Sequence, residues 1–254
     1  MSKRDEIGTG RLVYSCNCGW LDLGHAGIDL SDPTGPKRKA GKNPHPDVGA
    51  DKLWKKITDQ KGTASLLDKS GFKVSYRQEM SKSILTAGES RDYWVKYNLS
   101  VGEKEQVALA IFMEVSIAFE GMQDSFPYSR FTDSGFSMED LVSNLIGFYV
   151  VVRPALLNRL SSLCDIVSKK ATYDVWDSYG AVGQTKNKNF TPIYRRCSEC
   201  DSKPAPTFPK EFQAITPAKK GDWDPKANKT NGLFRDWLPM DAGSPWSGSD
   251  LRGM

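Results

Sequence analysis

A glutamate ends the most apolar helical stretch of this chain. Residues 108–120 read Ala-Leu-Ala-Ile-Phe-Met-Glu-Val-Ser-Ile-Ala-Phe-Glu and finish at Glu120. Burying an unpaired carboxylate costs on the order of several kcal/mol, so such a run rarely contains one without a use for it. A carboxyl group in apolar surroundings keeps its proton to higher pH and can donate it to a substrate. Glu120 is therefore the first candidate for acid catalysis.

The residues before Glu120 predict a core helix over 103–123, with acidic residues in its first turn. At 3.6 residues per turn, Ser116, Glu120 and Asp124 fall on one stripe. Glu114 lies six residues before Glu120 on a different face, so it is the weaker candidate. The helix therefore carries a narrow polar seam along its C-terminal half.

The chain has two histidines, and His25 lies in the segment 20–29. A helix that begins near Gly24 would place His25 and Asp29 four residues apart on one face, where the carboxylate could fix the imidazole tautomer. The alternative is a packed histidine at the start of a helix, without catalysis. His45, in a proline-rich loop, is a weaker candidate.

A second helix is predicted from Ser137 to Val152, because Ser137 and Asp140 form a variant capping box. Glu139 favours the same helix N-terminus electrostatically, so capping alone explains both acids. Asn144 lies one turn later and is placed either to hydrogen-bond into the core or to tie the helix to a loop.

The five cysteines form two close pairs and one single residue: Cys16 and Cys18, Cys164, and Cys197 and Cys200. The two pairs could supply four thiolates to a structural zinc, or two disulfides that join the N- and C-terminal parts. Unlinked thiols are the third alternative.

The remaining pattern predicts an α+β fold with three or more core helices, a small antiparallel sheet and a loop-rich C-terminal wrap. Alternating residues at 72–77 and 93–99 indicate two paired strands. Pro154 favours the start of a third helix that ends near Lys169. From Asp174 the composition turns to Gly, Pro, Asn and isolated aromatics. We expect a single domain over 1–254, with a core at 11–170 and an extension at 171–254 that packs on it.

Composition excludes several classes of function. The net charge of +4 on 254 residues is mild and lacks a dense basic face, which argues against nucleic-acid binding. No apolar stretch is long enough for a transmembrane helix, and the N-terminus lacks the apolar segment of a signal peptide. We expect a protein made in the cytoplasm that acts in the periplasm or on a target-cell envelope.

Two segments carry a resemblance to a known family. The segment 14–29, Tyr-x-Cys-x-Cys-Gly-Trp-Leu-Asp-Leu-Gly-His-Ala-x-x-Asp, and the segment 136–147, Phe-Ser-Met-Glu-Asp-Leu-Val-Ser-Asn-Leu-Ile-Gly, resemble the bacterial lipoprotein family catalogued as domain of unknown function 4056. The resemblance covers about residues 11–155. Where that family carries a His-Glu pair on its central helix, this chain has Phe119-Glu120, which argues against a metal site that needs both members.

The resemblance implies an envelope-associated protein and groups five candidates in one cleft: His25, Asp29, Glu120, Glu139 and Asn144. A relative without a lipoprotein signal is what an antibacterial effector of a contractile (type VI) secretion apparatus, or a phage lysis protein, would look like. Peptidoglycan is then the expected partner, together with an immunity protein or a component of the apparatus.

The first functional hypothesis is a toxin-like cell-wall hydrolase that cleaves peptidoglycan glycan strands, as muramidases and lytic transglycosylases do. Glu120 would be the general acid, and the second carboxylate would be Asp124, Glu139 or Asp29. Catalysis would need no cofactor, and zinc would be structural. The candidates for substrate binding are Trp20, Ser116, Asp124, Phe126, Tyr128 and Asn144.

Three other hypotheses remain open. A thiol amidase or peptidase would use Cys18 or Cys16 as nucleophile, His25 as base and Asp29 as the orienting group. A non-catalytic binding or structural module would hold Glu120 in a buried ionic network. A metal-dependent hydrolase would use His25, Asp29 and Glu120, and it is weakened by having one plausible histidine ligand.

Overall fold

The computed structural model describes residues 2–32, 35–39, 45–82, 85–124 and 135–244. The described residues form six α-helices: α1 (Asp5–Gly8), α2 (Ala50–Asp59), α3 (Val101–Asp124), α4 (Asp140–Val152), α5 (Leu160–Cys164) and α6 (Lys169–Tyr179). They also form nine strands: β1 (Leu12–Ser15), β2 (Gly19–Asp22), β3 (Ile28–Asp29), β4 (Lys37–Arg38), β5 (Gly71–Lys82), β6 (Leu85–Lys96), β7 (Trp223–Asp224), β8 (Lys229–Thr230) and β9 (Phe234–Asp236). The sheets are small and antiparallel, which confirms the predicted α+β class.

The contacts group the chain into two compact units, each built from separate stretches of sequence. The first unit contains residues 1–44 and 116–214, and the second contains residues 45–115 and 215–254. The division falls within α3. It also divides the predicted C-terminal extension, whose residues up to 214 belong to the first unit and whose later residues belong to the second.

The first unit is built around a hairpin and a buried helix. Strands β1 and β2 pair with Leu12 opposite Asp22, and the Trp20 ring packs edge-on against Tyr14 and Trp176 at 5.3 and 5.9 Å. Helix α4 is buried at every position except Asn144. A helix that is apolar all round must be covered on all sides, so α4 forms the centre of this unit.

The second unit is a three-stranded sheet covered by helices. Strands β5 and β6 pair with Phe72 opposite Val95, as the alternation predicted, and β9 adds to β6. Every second residue of β5 from Phe72 to Tyr76 is buried, which is the period expected for a sheet with one covered face. Helix α2 buries Leu53 and Ile57, four residues apart.

The predicted third helix is wrong in detail. Pro154 starts a 3₁₀ turn, Pro154–Arg159, and α5 follows it but ends after five residues. Asp165 then takes a left-handed backbone conformation, with φ of 55°, which ends the helix. A new helix, α6, begins at Lys169, and the Ser168 side chain caps it by accepting the backbone N–H of Ala171. No helix among the described residues is long and apolar enough to cross a membrane.

A buried ion pair in the second unit provides a test of this packing. The Arg235 guanidinium donates two hydrogen bonds to Asp241, at 2.6 and 2.8 Å, and both side chains are almost fully buried. We expect Asp241→Ala to lower the free energy of unfolding by about 3–5 kcal/mol, because it leaves a buried cation unpaired. Urea unfolding measures this loss. The exposed Asp222→Ala is the control and should change stability by no more than about 0.5 kcal/mol.

Candidate functional site

Four carboxyl groups lie buried together in the first unit and define the acid cluster: Asp22, Glu120, Glu139 and Asp140. Each of these four residues is at most 2% exposed. Asp22 ends β2, Glu120 lies near the end of α3, and Glu139 and Asp140 lie at the start of α4. Burial of four acids in one place is costly, so each must find donors, cations or a proton.

Strand β2 and helix α4 are joined by direct contacts that place these acids. The backbone N–H of Asp22 donates to the Ser143 hydroxyl at 2.9 Å, and that hydroxyl donates to the carbonyl oxygen of Glu139 at 2.6 Å. Gly147 lets the turn after β2 approach α4 closely, because a Cβ at this position would lie 2.6 Å from the carbonyl oxygen of Ala26. The sequence therefore needs a small residue one turn after Ser143.

Asp22 is the member best supplied with donors. Arg11 donates to it through Nε and Nη2 at 3.0 and 2.9 Å, and the backbone N–H groups of Gly24 and His25 donate at 2.7 and 3.1 Å. Desolvation would raise the pKa of Asp22, but the charge of His25 and the contacts with Arg11 lower it below its usual value. Asp22 is thus an ionised member of the cluster.

His25 reaches solvent, as does Arg11. Its Nδ1 lies 3.1 Å from Oδ1 of Asp140 and 3.5 Å from Oδ2 of Asp22, while 45% of its side chain is exposed. Desolvation lowers the pKa of His25, but the hydrogen bond to Asp140 and the nearby carboxylate charges, including Glu120, raise it to about 10. The imidazole is therefore a cation at neutral pH, held through Nδ1 by two acids.

Glu120 favours its protonated form. Burial and the charge of Asp140 raise the pKa of Glu120, and the backbone hydrogen bond from Phe136 and the charges of His25 and Lys186 oppose this only in part. The N–H of Phe136 donates to Oε2 of Glu120 at 2.9 Å, and Phe136 takes a left-handed conformation with φ of 57°. This is the environment that the apolar sequence around Glu120 predicted.

Glu139 also favours its protonated form, because burial and the charge of Asp140 raise its pKa. The hydroxyl of Ser2 lies 2.8 Å from Oε1 of Glu139 and 3.2 Å from Oδ2 of Asp22. A hydroxyl has one proton, so it can donate fully to one of these acids only. A protonated Glu139 that donates from Oε1 to Ser2, while Ser2 donates to Asp22, gives both hydrogen bonds of this hydroxyl a proton. Oε2 of Glu139 is buried without a hydrogen-bond partner among the described residues.

The charges of the cluster explain these shifts together. Two cations, Arg11 and protonated His25, contact the four carboxyl groups, so two negative charges would be in excess of the contacting cations if every acid were ionised. Retaining protons on Glu120 and Glu139 removes that excess. The arrangement can therefore hold a protonated carboxyl group, an ionised carboxylate and an imidazolium within one site.

The structure brings together three of the predicted catalytic residues, Glu120, His25 and Glu139. The fourth predicted catalytic residue, Asp29, is not part of the acid cluster. The predicted helix over Gly24 to Asp29 is wrong: residues 24–27 form a turn, and Asp29 belongs to a short strand where it bonds Ser31 and Lys39. Asp22, through this turn, takes the place that the sequence assigned to Asp29.

Sequence reasoning missed Asp22, Arg11 and Ser2 as members of the site, and it assigned Asp140 to capping alone. The predicted helix start at Ser137 is wrong, because α4 begins at Asp140 with Glu139 as its N-cap and without a side-chain cap hydrogen bond. Oδ2 of Asp140 accepts the backbone N–H of Ser137 at 3.0 Å, and its other oxygen holds His25. The available signal was an aspartate three residues before His25 in a Gly-containing segment, which is typical of a side chain that accepts backbone N–H groups in a turn.

The predicted substrate-binding residues that the structure describes do not line an exposed surface together. Trp20 is 2% exposed and packed between aromatic rings, so its faces are not available for stacking on a sugar. Ser116 is buried on α3, and Asn144 is half-buried on α4. Asp124 is paired with Lys186 and Lys188 at the end of α3. Tyr128 and Phe126 lie outside the described residues.

The cysteines form two disulfides, and one of them joins the N-terminal pair to the C-terminal pair, as the disulfide alternative expected, whereas the other uses the single Cys164. Cys16 is bonded to Cys200, Cys18 is bonded to Cys164, and Cys197 is a buried free thiol. The proposed zinc set of Cys16, Cys18, Cys197 and Cys200 is therefore not formed, because disulfide sulfurs are not thiolate ligands. No group of three or more metal-binding side chains occurs in the part of the chain that the structure describes.

Comparison with protein-family models, with curated proteins and with solved structures found no match to this chain.

The proton balance of the acid cluster predicts how stability depends on pH. Raised pKa values mean that the folded state holds protons more tightly than the unfolded state at His25, Glu120 and Glu139. The contribution of His25 to the free energy of unfolding is complete below about pH 6.5 and is lost as the pH rises toward 10. The two glutamates also lower the free energy of unfolding as the pH rises above about 4.5. Asp22 acts in the opposite direction only in more acidic solution, below about pH 4.

We therefore expect the melting temperature of the wild type to decrease as the pH rises from 6.5 to 9.5. His25→Gln should flatten this decline, because it removes the group whose charge is lost. The control His45→Gln lies outside the acid cluster and should keep the wild-type slope. A wild-type melting temperature that rises over this range would contradict the assignment of protons.

Proposed function

We propose that this protein is a hydrolase of the bacterial cell envelope that cleaves the glycan strands of peptidoglycan, with Glu120 as general acid. The observation that supports this most strongly is the buried Glu120 carboxyl group, whose pKa is raised by burial and by the charge of Asp140, in the same acid cluster as an ionised Asp22. Two acids whose environments move their pKa values apart are what glycoside hydrolysis requires.

Each member of the site has a role in this proposal. Protonated Glu120 donates to the glycosidic oxygen as the bond to the leaving sugar breaks. Asp22, held ionised by Arg11, stabilises the positive charge that develops on the sugar ring. His25 is a positioning residue, because its imidazolium holds Asp140, whose negative charge keeps the pKa of Glu120 high.

The cysteines and the sequence resemblance support an envelope location. Disulfides persist in oxidising compartments such as the periplasm and are rare in the bacterial cytoplasm. The two disulfides, Cys16–Cys200 and Cys18–Cys164, fit that environment. We propose that the protein acts there on peptidoglycan as an antibacterial effector, and that an immunity protein protects its producer.

The thiol amidase hypothesis loses its nucleophile in this structure. Both Cys16 and Cys18 are in disulfides, and Asp29 does not reach His25 as an orienting group. The metal-dependent hydrolase also loses Asp29 as a ligand.

One specific observation favours a second candidate, a non-catalytic envelope-binding module. The acids of the cluster hydrogen-bond to protein groups, as in a structural network. Glu120 accepts the backbone N–H of Phe136, and the carboxyl groups of Glu139 and Asp22 both contact the Ser2 hydroxyl. Such a network perturbs pKa values without catalysing a reaction.

Digestion of purified peptidoglycan sacculi distinguishes these two functions. We expect the wild type to release muropeptides cut between sugars, and Glu120→Gln to lower the rate by about 10²–10⁴, which is the usual contribution of a general acid. Mass spectrometry of the soluble fragments identifies the bond that is cut.

Glu114→Gln is the matched control, since Glu114 lies on the same helix but pairs with Arg91 and Lys220 and belongs to the second unit. It should keep wild-type activity. Circular dichroism establishes that each variant is folded. Sacculi left intact by a folded wild type would contradict the hydrolase and favour the binding module.

A further inference from the structure

The fifth cysteine, Cys197, belongs to the core cluster that contains one end of the Cys16–Cys200 disulfide and packs against the other. Cys197 and Cys16 are each 4% exposed and belong to the same core cluster, and Cys200 packs against that cluster. Cys197 is the one free thiol among the five cysteines. Three of the five cysteines, one of them a free thiol, are therefore brought together in one small region of the first unit.

The backbone between Cys197 and Cys200 forms a tight turn. The N–H groups of Cys200 and Asp201 both donate to the carbonyl oxygen of Cys197 at 2.9 Å. This turn brings the two ends of the Cys-Ser-Glu-Cys segment together. Cysteines separated by two residues are the spacing at which redox proteins form a disulfide within one turn.

A cation lies next to the third sulfur. Nζ of Lys203 is 3.8 Å from Sγ of Cys16 and also binds both carboxylate oxygens of Asp165, at 2.9 and 2.7 Å. The backbone N–H of Lys203 donates to the carbonyl oxygen of Cys200 at 2.9 Å, which fixes the lysine beside the disulfide. An ammonium group favours a thiolate at the adjacent sulfur and so makes Cys16 the better leaving group.

We propose that Cys197 exchanges with the Cys16–Cys200 disulfide, forming a Cys197–Cys200 disulfide and releasing Cys16. The Cys197 thiol gives its proton to solvent, and its thiolate attacks Sγ of Cys200. The bond between Cys197 and Cys200 forms as the bond between Cys16 and Cys200 breaks, and the electron pair leaves on Sγ of Cys16 beside Lys203. One disulfide and one thiol are present before and after, so the step needs no oxidant or reductant.

The exchange changes what holds the β1–β2 hairpin. The Cys16–Cys200 bond joins the hairpin turn to a loop 184 residues away in sequence, and exchange releases that loop. The Cys18–Cys164 bond remains and still ties the turn to α5. Since β2 carries Asp22, the exchange is a redox-neutral switch at the support of the acid cluster.

Disulfide mapping at controlled pH tests this exchange. The purified wild type is incubated at pH 6.5, 7.5 and 8.5 without reductant, quenched with acid, alkylated after denaturation and digested with trypsin. We expect a fraction in which the peptide that begins at Cys197 carries an internal disulfide, is no longer linked to the peptide of Cys16, and leaves Cys16 alkylated. Its initial rate should rise from pH 6.5 to 8.5, because the thiolate is the attacking species.

Two variants identify the groups that act. Cys197→Ser should abolish the release of Cys16, and Lys203→Gln should slow it several-fold while leaving the starting pairing unchanged. Lys170→Gln, which removes another aspartate-paired lysine of the first unit, should have the wild-type rate. If alkylation stays at Cys197 alone at every pH, or if Cys16 is released equally fast in Cys197→Ser, the proposal is overturned.

Discussion

The burial of four carboxyl groups beside His25 is the constraint on which the first unit depends. Asp22, Glu120, Glu139 and Asp140 are all removed from water, and their charges exceed those of the cations that face them. Burying four unpaired carboxylates would cost a prohibitive amount of free energy. The fold therefore supplies backbone donors, a guanidinium and retained protons. The same constraint that determines the packing therefore produces a site with both protonated and ionised acids, which is the starting point of acid catalysis.

The scaffold around the acid cluster is correspondingly rigid. A turn after β2 points two backbone N–H groups at Asp22, and Ser143 joins that strand to α4. The two disulfides start from the turn between β1 and β2, so the hairpin that ends in Asp22 is fixed covalently to distant parts of the chain. A rigid hairpin keeps the charge of Asp22 in place beside His25, which the proposed chemistry and the stability of the unit both require.

The sequence was sufficient for features that depend on local pattern. The apolar run before Glu120, the alternation in β5 and β6, and the reach of Asp140 back to Ser137 are all present as predicted. The sequence was insufficient to predict the conformation of the short segment after β2. Asp22 accepts N–H groups in a turn, and this turn replaced the helix that would have paired His25 with Asp29. The disulfide partners also depended on tertiary packing, which spacing along the chain does not encode.

The measurement that tests the central claim most directly is an NMR titration of the His25 imidazole in the folded protein. The spectrum contains signals from two histidines, and His45→Gln assigns them. The account predicts that His25 remains protonated well above pH 6.5, and that Asp140→Asn moves its titration back toward the ordinary value because the hydrogen-bonded carboxylate is gone. A His25 that titrates at or below pH 6.5 in the wild type would show that the buried acids do not hold its charge, and would contradict the account of the acid cluster.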